Sequence, residues 1–523
     1  MRDTQETTSR RPGKVYLVGA GPGDPKLITV RGLECLRKAD VLVYDHLVSE
    51  KLLHEVRPEC ERIYVGKQAG RHTLNQEDIN GLLVQKAEEG RAVVRLKGGD
   101  PFIFGRGGEE ALILSENRIA FEVVPGVTAA TAVPAYAGIP VTHRGLASVA
   151  TLVTGHEDPR KDTSAIDWSK LSLAPGTLVC FMGVRNLSQI VEHLVRSGRS
   201  PDTPVALIQW GTTPSQRTVT GRLRDILQVA DRAHLSPPAL IVVGDVVALR
   251  DPLNWFETKP LFGRRILVTR TREQAGRLAA MLEDLGAEAI EFPTIEIRDP
   301  DDWAPLDQAI ERLEGFNWLV FTSVNGVDKF FGRVFDLDGD IRSLKGLRIA
   351  AIGPATAARI EGYGLRVDLR PKENTAASLI ERFKEVRDLW GAKILIPQAD
   401  IGRELLTDEL LRLGAEVTRV TAYRTVVPQL GDMDIPDLLK NGQIDGVTFT
   451  SSSTVRNFAK ILDRYPLADL MKGVKVASIG PVTSETVRDI GLQVDIEPKE
   501  ITIPALVEAM GAYFSRRPTT KDE

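Results

Sequence analysis

Residues 94–110 read VRLKGGDPFIFGRGGEE. An apolar run stops at Gly98-Gly99-Asp100-Pro101, a turn without side-chain bulk where the backbone must bend. A second cluster, Gly105-Arg106-Gly107-Gly108, follows, and Glu109 and Glu110 open a helical pattern. Glycine permits positive φ and close approach of backbone to a ligand. Two such clusters in succession predict a ligand lying against bare main chain. Working outward, FEVVPGVTAA at 121–130 begins as another strand, and KVYLVGA, DVLVYD and AVVRLKGG read as strands too. LITVRGLECLRKA and EDINGLLVQKAEEG carry apolar residues at helical spacing. This alternation predicts an α/β fold with mainly parallel sheets.

The chain has 523 residues, enough for several domains. Its 67 basic and 71 acidic residues nearly balance, at net −4, which gives no global case for nucleic acid or membrane binding. A polyanionic substrate would need a local Arg/Lys cluster instead. Cys35, Cys60 and Cys180 lie far apart without CxxC or Cys/His spacing, so no metal site is expected. A reduced, cytoplasmic setting fits them. The polar start, MRDTQETTSRRPGK, has no apolar h-region, and residues 1–13 read as a disordered tail. The longest apolar run, ALIVVGDVVAL at 239–249, is too short to span a bilayer.

A turn-rich stretch, VPAYAGIPVTHRG at 133–145, divides the first 255 residues into lobes of about 14–132 and 146–255. SVATLVTGH, GTLVCFMGV, TPVALIQWGT and ALIVVGDVV form the second lobe's strands. DPLNWFETKPLFG at 251–263 has no periodicity, and 256–262 is expected to link two large units. The second unit, 263–515, contains an internal repeat. FTSVNGVDKF begins at Phe321 and FTSSSTVRNF at Phe449; IAAIGPATAARIEGYGLRVDLRPKE begins at Ile349 and VASIGPVTSETVRDIGLQVDIEPKE at Val476. RRILVTR with LGAE at Gly286 recurs as AKILIPQ with LGAE at Gly414. Two copies of a small doubly wound domain predict a two-lobed protein with a cleft. Residues 516–523 read as a second tail.

Gly19-Ala20-Gly21-Pro22-Gly23-Asp24 follows a strand but is a poor dinucleotide fingerprint, because Asp24 stands where the third glycine belongs. Taken together, GAGPGDPKLIT (19–29), YDHLVS (44–49) and the 94–110 stretch resemble the tetrapyrrole methylases, in particular the uroporphyrinogen-III C-methyltransferases. The repeat of the second unit resembles uroporphyrinogen-III synthase. In that family the chain starts in one lobe, crosses to the second and returns. Lobe one here would be about 263–297 plus 427–515, and lobe two about 298–426.

The methyltransferase resemblance implies S-adenosylmethionine between the two lobes of the first unit. The matching positions are Pro22, Gly98, Gly99, Asp100, Ile103, Thr128, Ala129, Met182 and Gly211. Asp100 suits ribose hydroxyls, and Ile103 and Met182 suit apolar walls, although Met182 taken alone reads as core. A sulfonium methyl is already activated, so alignment is the main demand. Methylation of a pyrrole carbon must also release a proton. Asp45, at the end of VLVYD, matches the proposed proton acceptor, and Lys67 the proposed donor. Asp45 reads equally as a turn or cap acid. Arginine binds carboxylate in bidentate fashion, which makes Arg106, Arg144 and Arg71 candidates for a many-acid substrate, Arg106 foremost. His72, His143 and His156 are loop histidines with weaker claims.

The synthase resemblance implies conversion of hydroxymethylbilane to uroporphyrinogen III with inversion of the last ring. Loss of the terminal hydroxyl needs a proton donor. Tyr423, in VTAYRT, matches that donor and reads equally as a half-buried strand tyrosine. Thr322, Ser323, Thr450, Ser451 and Thr483 follow apolar runs at repeat-equivalent places, as does Thr356. They fit either carboxylate binding or plain helix capping. The combined expectation is a bifunctional enzyme that makes uroporphyrinogen III and methylates it at C2 and C7 to precorrin-2. That chemistry belongs to porphyrin, sirohaem or cobalamin synthesis. The resemblance also implies a homodimer through the first unit and small-molecule tetrapyrrole substrates. Two alternatives stand beside it: a second unit that only binds tetrapyrrole, and a first unit acting later in corrin assembly.

Overall fold

The computed structural model describes residues 13–66, 74–155, 166–270, 272–373, 375–400, 405–426 and 434–515. The chain divides into two compact units. One runs to Arg264 and takes in Glu283–Glu288; the other comprises Arg265–Leu282 and the chain from Ala289 onward. Both are α/β, with strands and helices alternating throughout.

The first unit holds two five-stranded sheets. Strands β1 (Lys14–Gly19), β2 (Val41–Tyr44), β3 (Glu61–Tyr64), β4 (Ala92–Lys97) and β5 (Ala120–Val124) lie in the order β3-β2-β4-β1-β5, all parallel. Successive side chains of a strand face opposite sides. Val15 and Leu17 therefore join one core with Leu83 and Leu114, and Val18 joins the other with Leu36 and Leu42. Burial on both faces explains the nearly unbroken apolar runs. Strand β3, ERIY, was not legible as a strand because its burial is partial.

The second sheet holds β6 (Ala150–Thr154), β7 (Thr177–Phe181), β8 (Pro204–Gln209), β9 (Arg217–Arg222) and β10 (Ala239–Val243), in the order β6-β7-β10-β8-β9. Only β6 and β7 pair in parallel; β7–β10, β10–β8 and β8–β9 are antiparallel. The expectation of mainly parallel sheets fails here, because periodicity reports a strand's burial and not its neighbour's direction.

The stretch read as a divider opens inside a helix, Ala129–Tyr136, which includes Pro134. Ala130, Val133 and Ala137 pack against Val179, Ala206, Ile208 and Val242, so this helix belongs to the core of the second sheet. The stretch expected as a linker is packed as well. Phe256 is 5% exposed and stacks edge-on with Tyr136, while Trp255 Nε1 donates to the Ala135 carbonyl at 3.0 Å.

In the second unit, β11 (Arg265–Val268), β12 (Glu288–Glu291), β13 (Glu296–Arg298), β14 (Trp318–Phe321), β15 (Arg348–Ala351), β16 (Lys393–Ala399), β17 (Glu416–Val426), β18 (Gly446–Phe449) and β19 (Lys475–Ser478) form two sheets. One has the order β12-β11-β18-β19, the other β13-β17-β16-β14-β15. Strand β13 pairs antiparallel with β17, so the chain has joined the second sheet by Glu296. The repeat is visible in register: β14 pairs β15 as β18 pairs β19, parallel in both cases. Among the described residues, no helix is long and apolar enough to cross a membrane.

Candidate active site

In the first unit the glycine turns lock together through bare backbone. Gly21 and Gly99 exchange two main-chain hydrogen bonds, at 3.3 and 2.7 Å. A Cβ on Gly126 would lie 2.3 Å from the Gly99 carbonyl oxygen and 2.6 Å from the Gly19 Cα. The loops after β1, β4 and β5 thus interdigitate where no side chain fits. At Gly99, where φ is +70°, the Cβ position is open, with only the Ala129 amide nitrogen at 3.7 Å. The left-handed backbone favours glycine, and the open direction leaves a hollow in front of the Ala129–Tyr136 helix. Thr128 caps that helix by accepting from the Ala130 amide at 3.4 Å.

The Asp100 carboxylate fixes the rim of this hollow. One oxygen accepts from the Phe102 amide at 2.8 Å and the other from the Gly126 amide at 3.0 Å. The second sheet contributes the facing wall. A Cβ on Gly23 would sit 2.9 Å from the Gly211 carbonyl, and one on Gly211 would strike Val133 at 2.4 Å. Asp24 ties the two sheets: its amide donates to Thr212 Oγ1 at 3.0 Å, and Tyr136 Oη donates to its carboxylate at 2.9 Å. Burial, then Asp24, pushes the Tyr136 phenol up. The residue that spoiled the dinucleotide fingerprint is thus a strut.

Strain marks the same region. Phe104, Arg106, Met182, Trp210 and Thr212 all have positive φ, on loops after β4, β7 and β8. Each such residue costs roughly 1–3 kcal/mol, and strain of this kind collects at functional sites. Phe102, Phe104, Met182 and Trp210 are large apolar side chains left exposed, and the Phe104 ring lies 4.9 Å from that of Phe181. Phe104, Phe181, Trp210 and Thr212 were missed in the sequence, since nothing local separates them from ordinary core residues.

Asp45 follows β2. Its carboxylate accepts from the Leu47 amide at 3.1 Å, the turn role, and from Arg95 Nη2 at 3.3 Å. Arg95 and Lys97 lie on β4 and are almost fully buried. Glu110, wholly buried in the helix Gly107–Glu116, accepts on Oε1 from Arg95 Nε at 3.3 Å, Lys97 Nζ at 2.8 Å and Gln76 Nε2 at 3.2 Å. Glu110 Oε2 is buried with no hydrogen-bond partner. Burial, then Arg95, pushes the Lys97 ammonium down against the pull of Glu110. Two cations spaced by one residue inside an apolar strand were the available signal for this cluster.

Arg106 precedes the same helix and is ion-paired with Glu109 at 2.7 Å, which holds the Glu109 carboxyl below its usual range. Arg144 is exposed in a turn closed by His143 and Ala147. Pro22 and Ile103 are half-buried on the loops already described. Lys67, Arg71, His72 and His156 lie outside the described residues.

In the second unit two expected residues meet. Tyr423, 6% exposed on β17, shares a 2.9 Å hydrogen bond with Ser323 Oγ. Burial pushes its phenol up, the Ser323 bond draws it down, and Asp400 adds to the rise. Ser323 also caps the helix Val324–Asp336 by accepting from the Gly326 amide at 3.0 Å. Its counterpart Ser451 caps the helix Ser452–Ile461 in the same way, from the Thr454 amide at 3.3 Å. Thr322 and Thr450 are half-buried beside these caps, and Thr356 and Thr483 are buried in the first turns of their helices. Capping therefore occupies both serines, and only Ser323 carries a tyrosine as well.

The family of tetrapyrrole (corrin/porphyrin) methylases matches residues 14–227, and that of uroporphyrinogen-III synthase HemD matches residues 276–508. Porphyrin biosynthesis protein HemD of Ruminiclostridium josui is 38% identical over 502 residues, 95% of this chain and 97% of that one. Uroporphyrinogen-III C-methyltransferase of Bacillus subtilis (strain 168) is 44% identical over 356 residues, 68% of this chain and 72% of that one. S-adenosyl-L-methionine-dependent uroporphyrinogen III methyltransferase of Methanosarcina barkeri is 54% identical over 242 residues, 46% of this chain and 95% of that one. The chain belongs to the enzymes in which a tetrapyrrole methylase and a uroporphyrinogen-III synthase are fused on one polypeptide.

Proposed function

We propose that this chain converts hydroxymethylbilane to uroporphyrinogen III in its second unit and methylates that product at C2 and C7 in its first, giving precorrin-2. The observation that carries the methylation is the open Cβ direction at Gly99, facing a helix start across bare backbone. S-Adenosylmethionine, when bound, supplies an activated methyl group. Gly98–Asp100, Pro22, Thr128 and Ala129 would hold it from the first sheet, and Gly211 and Met182 from the second. The exposed rings of Phe102, Phe104 and Trp210 offer an apolar surface for a flat macrocycle. Asp45, held beside Arg95, is suited to take the proton that the methylated ring must release. Arg106 and Arg144 are suited to the substrate's carboxylates, Arg106 in exchange with Glu109.

For the second unit, the Tyr423–Ser323 pair supports proton donation to the departing hydroxyl. A phenol raised by burial stays protonated at neutral pH, as a donor must. Thr322, Thr450 and Ser451 at the strand ends and Thr483 in the first turn of its helix would then hold the substrate's carboxylates. Lys67 is proposed as the proton donor of the methylation step from its sequence match alone. Two copies joined through the first unit would sediment at about twice 57.4 kDa. The test is calorimetric binding of S-adenosylhomocysteine to the whole chain and to Gly99→Val. Tight binding by the parent and its loss in the variant is expected; equal affinity removes the turn from the site.

A further inference from the structure

We infer that Glu110 is a positioning residue for methyl transfer, acting through Arg95 on Asp45. The inference rests on the reading of Asp45 as the proton acceptor. Four elements meet at this point. Arg95 and Lys97 come from β4, Glu110 from the helix that follows the glycine clusters, Gln76 from the helix Gln76–Glu88, and Asp45 from the turn after β2. Arg95 is a fork with fixed geometry. Its Nε donates to Glu110, its Nη1 to the Leu96 carbonyl at 3.1 Å, and its Nη2 to Asp45. With the first two contacts made, the third direction is set, and the partly exposed Asp45 is the one group on the fork that reaches solvent. Glu110 also accepts from Lys97, whose backbone carbonyl receives the Ala20 amide at 2.8 Å. The residue after Lys97 starts the Gly98-Gly99 turn. One buried carboxylate thus sets both the aim of Asp45 and the strand end that carries the cradle.

The charges of this cluster balance: two cations on β4 face Glu110 and Asp45. Among the described residues, the other titratable neighbours are Tyr64 on β3, which pairs with Tyr44 and whose phenol is pushed up by burial, then by Asp45 and Tyr44, and Glu109, which feels Lys97. All the hydrogen bonds that Glu110 accepts among the described residues, from Arg95, Lys97 and Gln76, fall on Oε1.

The test is a double-mutant cycle in the whole chain, with methyl transfer to uroporphyrinogen III and S-adenosylhomocysteine affinity measured separately. Asp45→Asn is expected to lower kcat about 100-fold. Glu110→Gln is expected to lower kcat at least about tenfold with affinity changed less than about threefold, and Asp45→Asn/Glu110→Gln to match Asp45→Asn alone within about twofold. Arg95→Lys keeps the buried charge but loses the fork, and it is expected to behave as Glu110→Gln does, so the inference stays testable if the latter does not fold. Losses that multiply in the double variant, with Asp45→Asn impaired, would overturn the inference and leave the reading of Asp45 intact. Full activity of Asp45→Asn would overturn that reading, and the inference with it.

Discussion

At position 99 a positive φ and an open direction coincide, and the two separate under substitution. Gly99→Ala pays for its left-handed backbone, roughly 1–2 kcal/mol of stability. Gly99→Val adds bulk in the hollow, and S-adenosylhomocysteine affinity is expected to fall about 100-fold, near 2.7 kcal/mol, by calorimetry. An alanine variant that binds normally while melting earlier would show that the hollow, not the turn alone, takes the ligand. Asp45→Asn is expected to act on turnover and not on cofactor affinity. These residues were legible because glycine and aspartate after an apolar run are local signals. Phe104, Trp210 and Thr212 were not, because their strained backbone is set by packing between distant loops.

At the scale of elements, the two capping serines offer a controlled comparison. Ser451→Ala removes a cap and should cost about 1 kcal/mol. Ser323→Ala removes a cap and also strips the buried Tyr423 hydroxyl of its partner, a further cost of roughly 1–3 kcal/mol. Chemical denaturation should show the second unit losing more stability in Ser323→Ala than in Ser451→Ala. The Tyr423 phenol is raised relative to the unfolded chain, so its ionisation opposes the fold. The stability it contributes is full below the unfolded value near 10 and is lost as pH rises through the folded value. Tyr423→Phe should therefore flatten the alkaline decline of stability and slow ring closure with inversion.

The helix–strand alternation and the repeat exposed the central strands of both units, which are buried on two faces, but not partly buried strands such as β3 and β9. The antiparallel pairings of β7, β8, β9 and β10 were not exposed, because direction leaves no trace in a strand's own composition. Nor was the allegiance of the Ala129–Tyr136 helix, which only packing reveals.

For the whole molecule, the account assigns the two reactions to separate units, and variants should uncouple them. A chain carrying Asp45→Asn should still turn hydroxymethylbilane into uroporphyrinogen III and let it accumulate. A chain carrying Tyr423→Phe should methylate added uroporphyrinogen III at the parent's rate. Loss of both activities in either variant would point to a shared site. The most direct measurement is the mass and isomer composition of the product formed by the unaltered chain from hydroxymethylbilane and S-adenosylmethionine. A type III macrocycle bearing two added methyl groups is predicted; an unmethylated product, or the type I isomer formed without enzyme, would contradict it.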